Sequence, residues 1–159
     1  MINYTLVNAL KEKKLTIACA ESCTGGLIAK SITDVGGCSS VFLGGVVAYA
    51  NEIKENVLGV SGETLKKYGA VSEFTAMEMA NGVRRICGSD IGISTTGIAG
   101  PDGGTEQDPV GTVYIAVKAP SGTVSHRIVF GTGHSSREEI RSQAASRALF
   151  LALSQVKKG

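Results

Sequence analysis

The feature that most constrains this chain is a short apolar run, Leu15 to Ala20, that ends at Glu21-Ser22-Cys23-Thr24-Gly25-Gly26 and is followed by Leu27, Ile28, Ile32 and Val35 at helical spacing. A run of six residues, apolar but for Thr16, fits a buried strand better than a helix. The hydroxyl and glycine residues that follow make a break, and the resumed period of 3.6 makes a helix. The unit predicted is strand, tight turn, helix, which belongs to folds whose helices cover the faces of a sheet.

The rest of the chain extends that pattern. Leu6, Val7 and Leu10, closed by Lys11, Lys13 and Lys14, predict a short leading helix over residues 4–14. Val41 to Ala50 reads as a strand leading into a polar helical segment, Glu52 to Leu58, and Leu65 to Tyr68 as a further helical turn. Ser72 is placed to cap a helix with Ala76, Met79, Ala80, Val83 and Ile86 on its buried side. Ile91 to Thr96 reads as a strand running into the loop Gly97 to Gly104. Residues 112–119 and 123–130 flank Pro120-Ser121-Gly122 as a hairpin, and residues 135–156 form a long amphipathic helix. Helices alternating with strands early and one hairpin late predict a three-layer α/β/α domain with a mixed β-sheet.

With 159 residues, 43% of them hydrophobic, the chain can bury one substantial core and is expected to form a single domain over 1–159. A formal charge of +2 argues against duplex DNA as a main partner, and 4 Phe, 4 Tyr and no Trp leave few stacking platforms for single strands. The apolar stretch Val41 to Ala50 is about half of what a bilayer crossing needs, so no membrane span is expected. Cys19, Cys23, Cys38 and Cys87 match no paired metal knuckle and follow no secretory signal, so reduced thiols, a cytoplasmic location and no metal or cofactor are expected. These exclusions favour a small enzyme or a small-molecule binding module.

Ser22 stands where a hydroxyl at a strand's carboxyl end meets the free N–H groups of a helix start. It could attack a carbonyl there, or it could cap the helix, as could Thr24. Gly25 and Gly26 would let a substrate approach the backbone. The chain has two histidines, His126 in the hairpin and His134 before the last helix, so a serine would look to Lys54 for its base, with Tyr49 close by in sequence. Lys54 could equally be a solvated helix lysine, Tyr49 a core aromatic, and Cys23 a rival nucleophile or a small buried hydrophobe. The Gly97 to Gly104 loop lacks the GxxxxGK[ST] and GxGxxG patterns, and its amides with Asp102 and Thr105 form either a phosphate cradle or a structural crossover. Arg137 and Arg141, at i and i+4, share a helix face and could clamp a phosphate or simply face water beside Glu138.

The segments Ala20-Glu21-Ser22-Cys23-Thr24-Gly25-Gly26, Tyr49-x-Asn51-Glu52-x-Lys54, Gly69-Ala70-Val71-Ser72, Gly97 to Gly104 and Pro109-Val110-Gly111-Thr112-Val113 occur in one order across the chain. Together they closely resemble the CinA C-terminal domain family. Members of that family include amidohydrolases that convert nicotinamide mononucleotide to nicotinic acid mononucleotide and ammonia, some of them fused behind a nucleotide-pyrophosphatase domain.

The resemblance implies Ser22 as nucleophile, Lys54 as general base and Tyr49 as third member of the group. The expected substrate contacts are Cys23, Thr24, Gly25 and Gly26 of the turn, Gly100, Asp102, Gly103, Gly104 and Thr105 of the loop, and Arg137 and Arg141. The expected partners are nicotinamide mononucleotide and further copies of the chain in a homo-oligomer. The alternative is a nucleotide-sensing or partner-docking domain tied to competence or DNA damage.

Overall fold

The computed structural model describes residues 1–131 and 134–159. Its elements are α1 (Ile2–Lys13), β1 (Ile17–Glu21), α2 (Leu27–Thr33), β2 (Phe42–Val47), α3 (Asn51–Asn56), α4 (Gly62–Tyr68), α5 (Glu73–Cys87), β3 (Ile91–Gly97), β4 (Thr112–Ala119), β5 (Gly122–Val129) and α6 (Arg137–Lys158). The strands form one sheet in the order β2-β1-β3-β4-β5. Pairing is parallel from β2 through β1 to β3 and antiparallel from β3 through β4 to β5, so the sheet is mixed as expected.

Period-two alternation sorts the two cores. Ile17 and Cys19 of β1 join Ile91 and Ile93 of β3 against α1, α2 and α6, while Ala18 and Ala20 face Met79 and Val83 of α5. The outcome is a three-layer α/β/α domain. Helix α5 lies so close to the sheet that a side chain at Gly92 would run into the Ala80 carbonyl oxygen, so glycine is required by contact there. Ser72 caps α5 by accepting from Thr75 N at 3.2 Å, and Ser136 with Glu139 forms a capping box on α6. Ile86, expected on the buried face of α5, is 45% exposed, because the buried stripe through Met79, Ala80 and Val83 continues to Cys87, which packs on the core in its place.

From β1 the chain passes through α2 to β2 on one side, and through α3 to α5 it returns to β3 on the other. Strand β1 is therefore the switch point of the parallel half, and its carboxyl end opens into a crevice between the connections leaving β2 and β3.

Candidate active site

Ser22 follows the last residue of β1, and its N–H donates to Thr95 O on β3 at 3.0 Å, which continues the strand ladder one residue into the turn. Glu21 is only 1% exposed, and its carboxylate accepts from Ile28 N at 2.8 Å and Ala29 N at 3.1 Å at the start of α2. It also accepts from Thr24 Oγ1 at 2.7 Å. A buried carboxylate is tolerated because backbone donors replace water and the helix N-terminus favours negative charge. Glu21 therefore takes the capping part that the sequence offered to Ser22 or Thr24, and the Ser22 hydroxyl is left facing a cavity.

That cavity holds about 300 Å³ and is walled by Ser22, Cys23, Tyr49 and Lys54, by Ala70 and Val71 between α4 and α5, by Thr96 to Gly100 with Asp102 and Gly103, and by Arg137. Lys54 lies on the turn of α3 that faces the sheet and is 1% exposed. Its Nζ is 2.9 Å from Ser22 Oγ, 2.8 Å from Ala48 O and 3.0 Å from Tyr49 O. Burial pushes the Lys54 pKa below its ordinary value. As a neutral amine, Lys54 keeps two N–H groups for the two carbonyls and turns its lone pair to accept the Ser22 hydroxyl proton. The arrangement sets a serine hydroxyl in contact with a buried amine.

Cys23 shares the wall, but burial raises its thiol pKa to about 12, so it stays protonated near neutrality and is a poor rival nucleophile. Tyr49 is 60% exposed at the cavity mouth. Its backbone carbonyl binds Lys54, whereas its hydroxyl accepts from Arg137 Nη2 at 2.7 Å. Arg137 Nη1 donates to Gly100 O at 2.7 Å, so one guanidinium ties the loop after β3 to the tyrosine.

Gly100, Asp102 and Gly103 stand on the cavity wall as expected, but several other expected contacts lie elsewhere. Thr24 is fully buried, with its hydroxyl between Glu21 and Thr95. Gly25 and Gly26 lie off the wall and serve the backbone, with φ of 59° and 108°. Gly104 packs against Val110, and Thr105 closes a local turn with Asp108, its Oγ1 accepting from Asp108 N at 2.9 Å. Arg141 donates to Cys23 O at 3.0 Å and Thr24 O at 3.1 Å, so its guanidinium is engaged with the turn and is not on the cavity wall.

Both histidines are exposed and neither is on the wall. Sequence reasoning offered the loop from Gly97 as a cradle but gave no site role to Ala70, Val71 and Thr96, and it missed the structural role of Glu21. A carboxylate six residues before a helix start, across a Gly-rich turn, was the available signal for Glu21. Among the described residues no three His, Cys, Asp or Glu side chains converge as metal ligands, and no helix is long and apolar enough to cross a membrane.

A family model described as CinA C-terminal domain matches residues 1–156. A CinA-like protein of Kosmotoga olearia is 51% identical over 144 residues, covering 91% of this chain and 34% of that protein. The chain spans about a third of the length of the curated relatives it matches. Among solved structures, the competence/damage inducible protein CihA from Agrobacterium tumefaciens superposes with a TM-score of 0.91 at 39% identity, covering 97% of this chain and 94% of that one. A CinA superfamily protein from Klebsiella pneumoniae gives 0.94 at 32% identity, with 99% and 97% covered.

Proposed function

This chain belongs to the CinA C-terminal domain family, and from that premise we propose that it is an amidohydrolase that deamidates nicotinamide mononucleotide through a Ser22 nucleophile and a Lys54 base. The observation that carries the reading is the 2.9 Å contact between Ser22 Oγ and a buried lysine amine that has no acidic partner among the described residues. A lysine held only for stability would gain nothing from burial beside a hydroxyl.

In this mechanism Ser22 Oγ attacks the carboxamide carbon while its proton passes to Lys54 Nζ. The tetrahedral intermediate collapses as Lys54 returns the proton to the departing nitrogen, and ammonia leaves. Water, deprotonated by Lys54, then attacks the acyl ester, and the proton goes back to Ser22 Oγ. Arg137 already donates to the Tyr49 hydroxyl oxygen, so the phenol's own proton is available to the leaving group or the intermediate. The remaining Arg137 N–H groups supply the cation on the cavity wall for a phosphate. Asp102, an exposed carboxylate on the same wall, would repel phosphate, so it suits the ribose hydroxyls.

The test is ammonia release from nicotinamide mononucleotide by the purified chain, with free nicotinamide and glutamine as controls. Turnover of the nucleotide that is lost in Ser22→Ala is the expected result. No turnover of any of the three, with tight nucleotide binding retained, would favour the sensing or docking alternative.

A further inference from the structure

We infer that Arg141 is a positioning residue for the nucleophile, acting on Ser22 through the backbone of the turn and making no contact with substrate; the inference rests on the reading of Ser22 as nucleophile. Its guanidinium reaches from α6 across more than a hundred residues of chain to Cys23 O through Nε and to Thr24 O through Nη2. The peptide unit whose carbonyl is Thr24 O carries the Gly25 N–H, and that N–H donates to Ser22 O at 3.1 Å. An unbroken relay therefore runs from Arg141 through one peptide unit to the carbonyl of the nucleophile itself. A cation at the head of such a chain polarises the peptide and strengthens the bond at its far end.

The turn is thus held on two sides. Thr95 O fixes the Ser22 N–H and Arg141 fixes the carbonyls beyond it, so the backbone from which the Ser22 hydroxyl reaches Lys54 is held in place. Glycine at position 25 fits the same device: a Cβ there would lie 2.8 Å from Arg141 Nη2, on a backbone already at φ 59°. Arg137 and Arg141 are one helical turn apart yet divide the work, the first on the cavity wall and the second behind the turn.

The experiment compares Arg141→Ala, Arg141→Lys and Arg137→Ala in the full chain by steady-state kinetics on nicotinamide mononucleotide and by hydrogen exchange of the peptide spanning residues 21–27. Misplacing a nucleophile by about an ångström costs on the order of 10²-fold, so Arg141→Ala should lose about that much in kcat with KM within about threefold. Arg141→Lys should lose about tenfold, and ethylguanidinium should restore at least part of the Arg141→Ala deficit. The turn peptide should lose protection in both Arg141 variants while peptides from β1 and β3 keep theirs.

A rise in KM at unchanged kcat would make Arg141 a substrate contact and overturn the inference, as would unchanged protection of the turn. If Arg141→Ala does not fold, Arg141→Lys carries both readouts. Loss of turn protection in a chain whose wild type releases no ammonia would sink the deamidase reading and, with it, the positioning of a nucleophile, leaving Arg141 as a clamp on the turn alone.

Discussion

Two connections leave neighbouring parallel strands at the same end of the sheet, and they are built in opposite ways. The turn after β1 is locked: Glu21 binds the start of α2, Thr24 is buried between Glu21 and Thr95, and Arg141 holds its carbonyls. The loop after β3 is anchored at its ends, by Ile98 N to Thr112 O and Gly111 N to Ile98 O, while residues 101–107 are exposed. Under the proposed mechanism the difference has a use: a nucleophile must sit within a fraction of an ångström of its base, which an immobilised backbone suits, whereas recognition of a phosphorylated sugar would need reach more than rigidity.

The comparison breaks first at Ser22. Ser22→Ala should lower kcat on the order of 10⁴-fold or more, with a melting temperature close to that of wild type, and ammonia release at saturating substrate reads it. Lys54→Arg should cost about 10² to 10⁴-fold, because a guanidinium stays protonated at any accessible pH. In wild type, the neutral fraction of Lys54 grows as pH rises through its lowered pKa, so kcat/KM should climb along that limb.

Stability carries the same sign. Between the lowered folded value and the ordinary 10.5, the unfolded chain binds the extra proton, so stability rises with pH in that window. Below both values the buried ammonium is a cost. Lys54→Met should flatten this rise in urea titrations taken across the window; an undiminished rise would assign it to other groups.

Arg137→Ala tests the recognition side. It should raise KM for the nucleotide by about 10 to 100-fold, the range of a lost charge-assisted bond, and more than it lowers kcat. Little change should be seen with the dephosphorylated nucleoside. Glu21→Gln tests the locked turn: it leaves an amide group against the N–H donors of Ile28 and Ala29 and should cost about 1 to 3 kcal/mol by denaturant unfolding. The smallest effect belongs to Thr105→Ala in the exposed loop, where stability should change by no more than about 0.5 kcal/mol and KM hardly at all. A KM effect of Thr105→Ala equal to that of Arg137→Ala would remove the distinction between wall and loop tip.

Much of this organisation is local and was therefore legible in the residues. The apolar period switches from strand to helix around Glu21 to Gly26, Ser72 announces α5, and Pro120-Ser121-Gly122 joins β4 to β5. These signals act between residues a few positions apart, which is why element type and the mixed sheet could be read in advance. The Ser22, Tyr49 and Lys54 set was readable by its likeness to a family, since nothing local distinguishes Lys54 from a solvated helix lysine.

The tertiary structure alone decided the assignments that depend on long-range contact. Lys54 became a buried amine because α3 folds over the end of β1, 32 residues away in the chain. Arg137 and Arg141 look alike on a helix, but the crevice meets the first and the back of the turn meets the second. Thr24 and Thr105, both polar residues near glycines, turned into a buried network member and a local turn closer. A side chain's chemistry is written in its residue type, but its burial, partners and pKa depend on segments that sequence separates and only packing brings together.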